Sequence, residues 1–113
     1  MNDNLFKTAY GYEIVWTNTA SYCGKILVFE NVGAKLPLHF HKLKNKSWFV
    51  NVGKFKVQWI DTVDGKVYAK ELPEGSVFHV PALMPASLES LSNNSSIAEA
   101  GDNDIENDIC KLC

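Results

Sequence analysis

Apolar and polar residues alternate along most of the chain with a period of two, the pattern of a half-buried β-strand. Phe55, Val57 and Trp59, for example, alternate with Lys56 and Gln58. Such runs recur at short intervals between turn-forming residues, which is typical of small β-sandwiches and barrels. The pattern predicts nine strands, at Glu13–Trp16, Lys25–Phe29, Leu36–His41, Trp48–Val52, Phe55–Trp59, Val67–Leu72, Val77–Pro81, Ser87–Leu91 and Ile97–Glu99.

The segments between the strands are short, and the pattern indicates a single all-β, antiparallel domain over residues 1–113, with its core from about residue 7 to 112. Asp64-Gly65 predicts a hairpin turn, because both residue types tolerate positive φ. Ile105, Ile109 and Leu112 have a helix-like spacing, but over a short segment only.

Charge and composition narrow the range of functions. The formal net charge is −2 and the basic residues are spread along the chain, which argues against nucleic-acid binding. No apolar stretch approaches the roughly 18 residues of a membrane span. The polar N-terminus does not resemble a secretory signal, so we expect a cytoplasmic protein with reduced cysteines. All 11 basic residues are lysine, and arginine, which grips phosphate with two parallel hydrogen bonds, is absent.

The C-terminal part of the sequence contains an acidic cluster and a pair of cysteines. The acidic residues there predict a solvated segment; they are Glu99, Asp102, Asp104, Glu106 and Asp108. Cys110 and Cys113 form a C-x-x-C motif without the second ligand pair that a structural zinc site requires. We interpret this motif as a chance spacing.

Candidate site residues appear on the third predicted strand. His39 and His41 lie two residues apart and therefore share one face, opposite Leu36, Leu38 and Phe40. Two imidazoles on the inner face of a barrel can bind a divalent metal or a polar ligand.

The surroundings of this pair resemble the first cupin motif, in which glycine, five residues and His-x-His are followed by a glutamate and a closing glycine. Gly33, His39, His41 and Gly53 match its order and spacing. The second cupin motif is partly matched by Gly75 and Pro81 of the segment 75–86.

Three further segments, "KTAYGYE", "KSWFVNVG" and "NDIENDICKL", resemble the cupin domain of mannose-6-phosphate isomerase and mannose-1-phosphate guanylyltransferase proteins. This resemblance implies a small jelly-roll-like β-barrel that commonly forms homodimers.

The resemblance also implies a metal site of two histidines, a glutamate and a third histidine. His39 and His41 are present, but Lys46 stands at the glutamate position and Ala86 at that of the third histidine. The site is therefore expected to be degenerate, with no metal or a weakly bound iron, manganese, nickel or zinc ion. His79 is a candidate replacement ligand, or else a partly exposed strand residue.

Lys46 has two interpretations. The favoured one is a solvated loop lysine, since its long stem easily reaches water. The alternative is a cation that replaces the metal and draws an anionic ligand into the barrel. Lys42 and Lys44 add positive charge at the expected mouth.

Three functions follow. In the first, which we favour, His39, His41 and Lys46 bind a small polar or anionic molecule, for example a sugar-like one. This function does not use the metal catalysis that is usual for the family. The second is a sugar-phosphate isomerase-like metal-dependent enzyme, with His39 and His41 as ligands. The third is a structural module that acts as a homodimer. Whether the chain is an enzyme is left open; nucleic acid and membrane are not expected partners.

Overall fold

The structure is a computed structural model that describes residues 4–104 and 108–111, and all of its regular elements are strands. The expected all-β class is therefore confirmed. The strands are β1 (Leu5–Lys7), β2 (Gly11–Asn18), β3 (Cys23–Phe29), β4 (Lys35–His41), β5 (Lys46–Val52), β6 (Phe55–Ile60), β7 (Val67–Leu72), β8 (Val77–Val80), β9 (Ala86–Ser90), β10 (Ser95–Gly101) and β11 (Ile109–Lys111).

The strands form two antiparallel sheets that enclose the core. One has six strands in the order β1-β2-β3-β10-β5-β8, and the other has five in the order β11-β4-β9-β6-β7. Because the chain passes repeatedly from one sheet to the other, strands distant in sequence become neighbours, as in a jelly roll.

The inner faces of both sheets carry the alternating apolar residues. Trp48, Phe29 and Phe55 are the largest apolar side chains of the core, and each is fully buried. Phe55 meets Phe29 edge to face, with the ring centroids 4.9 Å apart. Burial of these aromatic rings is a major source of stability for a chain of this size.

β1 and β11 were not predicted. β11 pairs with β4, with Ile109 opposite His41, so the helix-like spacing noted for this segment does not correspond to a helix at Ile109–Lys111. Pairing explains the strand, since β4 would otherwise leave a row of backbone groups unbonded at the sheet edge. Residues 105–107 and 112 lie outside the described residues.

The predicted hairpin joins β6 to β7. Gly65 takes a φ of +71°, whereas Asp64 does not adopt positive φ. The Asp61 carboxylate accepts the backbone N–H groups of Val63 and Asp64, which makes the loop longer than a two-residue turn. Among the described residues there is no helix that could cross a membrane.

Candidate functional site

Two imidazoles lie on the inner wall of the barrel. Leu36 lines the same cavity, so its expected place on the opposite face of β4 is wrong, because the register with β9 shifts between Leu36 and His39. His39 is 3% exposed, and the His41 side chain is largely buried. Their ring centroids are 5.6 Å apart and the rings are nearly perpendicular.

A backbone contact determines the tautomer of His39. Its Nδ1 lies 2.7 Å from the carbonyl oxygen of Pro37, which can only accept a hydrogen bond. Nδ1 therefore carries the hydrogen, and Nε2 presents a lone pair to the barrel interior. Burial, together with the charge of Lys46, lowers the pKa of His39 to about 4. The ring is neutral at neutral pH.

The lone pair of His39 is occupied by Lys46. The Lys46 Nζ donates to His39 Nε2 at 2.8 Å, and it also lies 4.9 Å from the centroid of the Trp48 ring. Lys46 begins β5 in phase with the buried residues Trp48 and Val50, so its side chain points inward. The favoured interpretation of a solvated loop lysine is wrong, because only 6% of Lys46 is exposed.

Burial and neighbouring lysines destabilise the charged form of Lys46. Burial lowers its pKa, and repulsion from Lys44 and Lys25 lowers it further, while Glu99 raises it; the net value is about 8. Lys46 is therefore a weaker base than an ordinary lysine.

Glu99 is the main counter-ion of this cluster, and it was not identified as a site residue. It accepts the Trp48 indole N–H at 2.9 Å, and its carboxylate lies 3.5 Å from Lys44 Nζ and 3.7 Å from Lys46 Nζ. Burial raises the pKa of Glu99, but these two lysines and Lys25 outweigh that effect and lower it. Glu99 is thus charged inside the barrel.

Asp104 joins the lysines to the C-terminal segment. Its carboxylate lies 2.6 Å from Lys25 Nζ and 2.5 Å from Lys44 Nζ. Although burial opposes ionisation, these contacts hold the pKa of Asp104 at about 2. Because Lys44 is buried and paired, it does not supply free positive charge at the mouth, contrary to expectation.

Asp108 fixes the loop that follows β4. It accepts the backbone N–H groups of Leu43 and Lys44 at 2.9 and 3.2 Å, and it lies 3.5 Å from His41 Nδ1. Together with Glu99 it shows that the expectation of a solvated acidic segment is wrong for the buried members. Glu106 lies outside the described residues.

His79 does not join the pair. It lies on an exposed face of β8, where its Nδ1 is 2.7 Å from the Ser47 hydroxyl. This position matches the interpretation of His79 as a partly exposed strand histidine rather than a replacement ligand.

Ala86 faces His39 across the β4–β9 ladder, where the two are register partners, and Ala86 is fully buried. Directly opposite residues of antiparallel strands project to the same side. Position 86 is thus within reach of the histidine pair.

A cavity of about 80 Å³ lies beside these groups. Its lining residues are Tyr10, Glu13, Lys25, Leu27, Leu36, His39, His41, Lys46, Glu99 and Ile109. Within residues 4–104 and 108–111, no three His, Cys, Asp or Glu side chains lie close enough together to hold a metal ion. Cys113 is not described, so the C-x-x-C motif stays untested.

Known structures share this fold. Oxalate decarboxylase from Bacillus subtilis at pH 4.6 aligns with a TM-score of 0.84 and 19% identity, over 96% of this chain and 29% of that chain. A structure from work on the Mn(II) centers of the same enzyme aligns with a TM-score of 0.82 and 20% identity, over 96% and 30%. KdgF from Halomonas sp. aligns with a TM-score of 0.72 and 18% identity, over 84% and 80%.

The chain spans less than a third of the oxalate decarboxylase chains, and identities this low show the fold alone. No curated protein sequence matches the chain. The sequence profile of the family described as Cupin matches residues 6–111, nearly the whole chain. The chain therefore belongs to the cupin family.

Proposed function

We propose that this cupin holds a small polar or anionic molecule, most simply a small carboxylate, in the barrel cavity, with Lys46 where a metal-binding cupin has a ligand. The observation that carries the proposal is the Lys46 Nζ on His39 Nε2, at 2.8 Å and beside the cavity. An ammonium group supplies the positive charge that a metal ion would otherwise supply.

The residues present do not suit a divalent cation, so we infer that the cupin metal site is degenerate. Two unit charges of the same sign 4 Å apart repel by about 4 kcal/mol at an effective dielectric of 20, and a divalent ion about doubles this. The cation would also have to displace Lys46 from His39 Nε2. With Ala86 in place of an imidazole, few ligands remain to offset these costs.

The cavity size limits the ligand. A water molecule needs about 10–15 Å³ of cavity, whereas pockets for drug-sized ligands have about 300–1,000 Å³. At about 80 Å³, the cavity suits a small acid or a few waters better than a sugar. The sugar-like version of the proposal would require the barrel mouth to widen.

Lys46 retains the capacity to bind an anion. Its ammonium has three N–H donors, of which one goes to His39. The 3.7 Å separation from Glu99 is an ion pair rather than a hydrogen bond. An incoming carboxylate must compete with Glu99 for the same positive charge, so we expect modest affinity.

Titration of ¹⁵N-labelled protein with acetate and oxalate tests the proposal. Backbone shifts should concentrate on β4 and β5. Because a hydrogen bond to a charged group contributes about 1.5–3 kcal/mol, Lys46→Met should weaken binding by roughly ten- to a hundredfold. Lys56→Met, on the outer surface, is the matched control and should bind normally.

Removal of Lys46 alone takes away one of the two lysines that pair with the buried Glu99. The double variant Lys46→Met, Glu99→Gln therefore provides a second test, with both charges removed. Shifts confined to the outer surface, or binding unchanged in both variants, would contradict the proposal. So would stoichiometric iron, manganese, nickel or zinc in the purified protein that is lost on His39→Ala, which would favour the enzyme alternative.

An apolar row on the outer face of the six-stranded sheet supports the homodimer as a second proposal. The row is continuous in register across all six strands and contains Leu5, Ile14, Ile26, Ala98, Phe49 and Val77. Phe49 and Val77 are 42% and 52% exposed. Contiguous exposed apolar surface of this kind marks interaction sites, and two-fold dimers bury the same patch from each copy.

Light scattering coupled to gel filtration tests the homodimer. Phe49→Lys places a charge in the exposed part of the row and should produce monomers, whereas Val63→Lys, in an exposed loop, should leave the dimer intact. A monomeric wild-type protein at high micromolar concentration would contradict the proposal.

A further inference from the structure

Lys46 is a buried amine that lines a cavity and contacts a neutral imidazole. We propose that Lys46 forms a reversible imine with a small oxo acid that enters the barrel. This inference rests on the ligand site proposed above and goes beyond it, since it adds a covalent step to simple binding.

The surroundings of Lys46 increase the share of the neutral amine, which is the nucleophilic form of a lysine, although Glu99 at 3.7 Å favours the ammonium. The ammonium is shielded from water, and Lys44 and Lys25 belong to the same cluster. A pKa of about 8, against an ordinary value of 10.5, agrees with this geometry. The neutral fraction at neutral pH is therefore far larger than for an exposed lysine.

The two neighbouring lysines are poorer nucleophiles. Lys44 is bound between the carboxylates of Glu99 and Asp104, and it does not line the cavity. Lys25 does line the cavity, but although burial lowers its pKa, Asp104 at 2.6 Å together with Glu99 and Glu13 outweighs that effect and raises it. Lys46 differs because its nearest polar partner is an uncharged nitrogen lone pair.

The step balances without any further reagent. The neutral Lys46 amine forms a bond to the carbonyl carbon, whose π electrons move to oxygen, and His39 Nε2 then takes a proton from the positively charged nitrogen of the adduct. The imidazolium returns the proton to that oxygen, a second proton comes from nitrogen, and water leaves. The products are one imine and one water molecule, and hydrolysis reverses the step.

An oxo acid fits the cavity better than other carbonyl compounds. Its carbonyl carbon would meet Lys46, and its carboxylate would share the Lys25 ammonium on the cavity wall with Asp104 and Glu13. Leu27 and Leu36 supply apolar wall for the short carbon chain between these two groups. The volume of about 80 Å³ restricts the compound to the smallest members of the class, such as glyoxylate.

Reductive trapping of the wild-type protein tests the inference. Glyoxylate and cyanoborohydride convert an imine into a stable carboxymethyl amine, which intact-mass and peptide analysis can locate. Because basicity differs so strongly, label on Lys46 should exceed label on exposed lysines such as Lys56 by at least about tenfold at limiting glyoxylate. Glycolaldehyde, which lacks the carboxylate, should label Lys46 less efficiently.

Each result decides between the two proposals. Label on exposed lysines without label on Lys46 would overturn the imine, even if the folded wild-type protein still binds acetate and oxalate in the barrel. Absence of both label and binding would overturn both proposals. Equal labelling by glycolaldehyde would retain the imine and overturn the assignment to oxo acids. The variant Lys46→Met, Glu99→Gln should show only the background labelling of exposed lysines.

Discussion

Replacement of Lys46 by Glu and of Ala86 by His should convert the barrel cavity into a four-ligand metal site. The first change removes the ammonium from His39 Nε2, where it lies at 2.8 Å. The second places an imidazole directly opposite His39, on the same side of the sheet. The two new side chains and the existing histidines supply the set that the cupin motifs imply.

The metal-free double variant should be less stable than the wild-type protein. The new carboxylate stands near Glu99, and two like charges at about 4 Å repel by about 4 kcal/mol at an effective dielectric of 20. Overpacking at position 86 adds about 1–3 kcal/mol. A metal at 100 times its dissociation constant restores about 2.7 kcal/mol, which corresponds to a rise in Tm of about 10 °C for a chain of this size.

Thermal denaturation with and without Mn²⁺, Ni²⁺ and Zn²⁺ measures this effect. The matched control is Lys56→Glu with Ala86→His, which has the same composition but retains the Lys46 ammonium and should not respond to metal. A folded double variant whose Tm is unaffected by all three metals would show that the four positions do not converge. An equal rise in the control would show that the metal binds elsewhere.

Three other predictions concern the buried charges. Lowering the pH from 6.5 to 4 should destabilise the fold by on the order of 3 kcal/mol through His39. In this range the imidazole of the unfolded chain binds a proton, whereas the folded ring, with its pKa of about 4, largely does not. In urea denaturation, the midpoint of His39→Gln should therefore depend less on pH than that of the wild-type protein. Trp48→Phe should cost about 1–3 kcal/mol in urea denaturation, because Glu99 loses its indole donor, whereas Trp16→Phe at an exposed site should cost little. Asp104→Asn should be less stable than wild type above pH 4. The difference should shrink as the pH falls below 3.8, the ordinary pKa, and disappear only below pH 2, since the folded pKa of Asp104 is about 2.

Local patterns in the sequence predicted the strands and the face of the histidine pair. β2 to β10 correspond to the nine predicted strands, because alternation reports which side of a strand is buried. The same alternation indicates that Lys46 points into the barrel, since it is in phase with the buried residues Trp48 and Val50. The inward direction of the Lys46 side chain was therefore predictable from the sequence.

The counter-ions of the lysines could not be predicted in the same way. Glu99 meets Lys46, and Asp104 meets Lys25, across more than fifty intervening residues. No local spacing relates such partners, and only the three-dimensional neighbourhood of β3, β5 and β10 brings them together. A run of acidic residues is also compatible with a hydrated surface, so composition alone favoured the wrong environment.

The long sequence separation of these ion pairs affects the order in which parts of the barrel fold. Glu99 and Asp104 are synthesised well after Lys25, Lys44 and Lys46. A nascent chain that ends after β9 therefore lacks the carboxylates that pair with Lys44 and Lys46, and within the described part of the chain only Lys25 has an earlier carboxylate partner, Glu13 at 3.8 Å. Contacts that close such long loops form late in folding. Water should therefore remain in the barrel interior until β10 pairs with β3 and β5, and it should be expelled when this pairing forms.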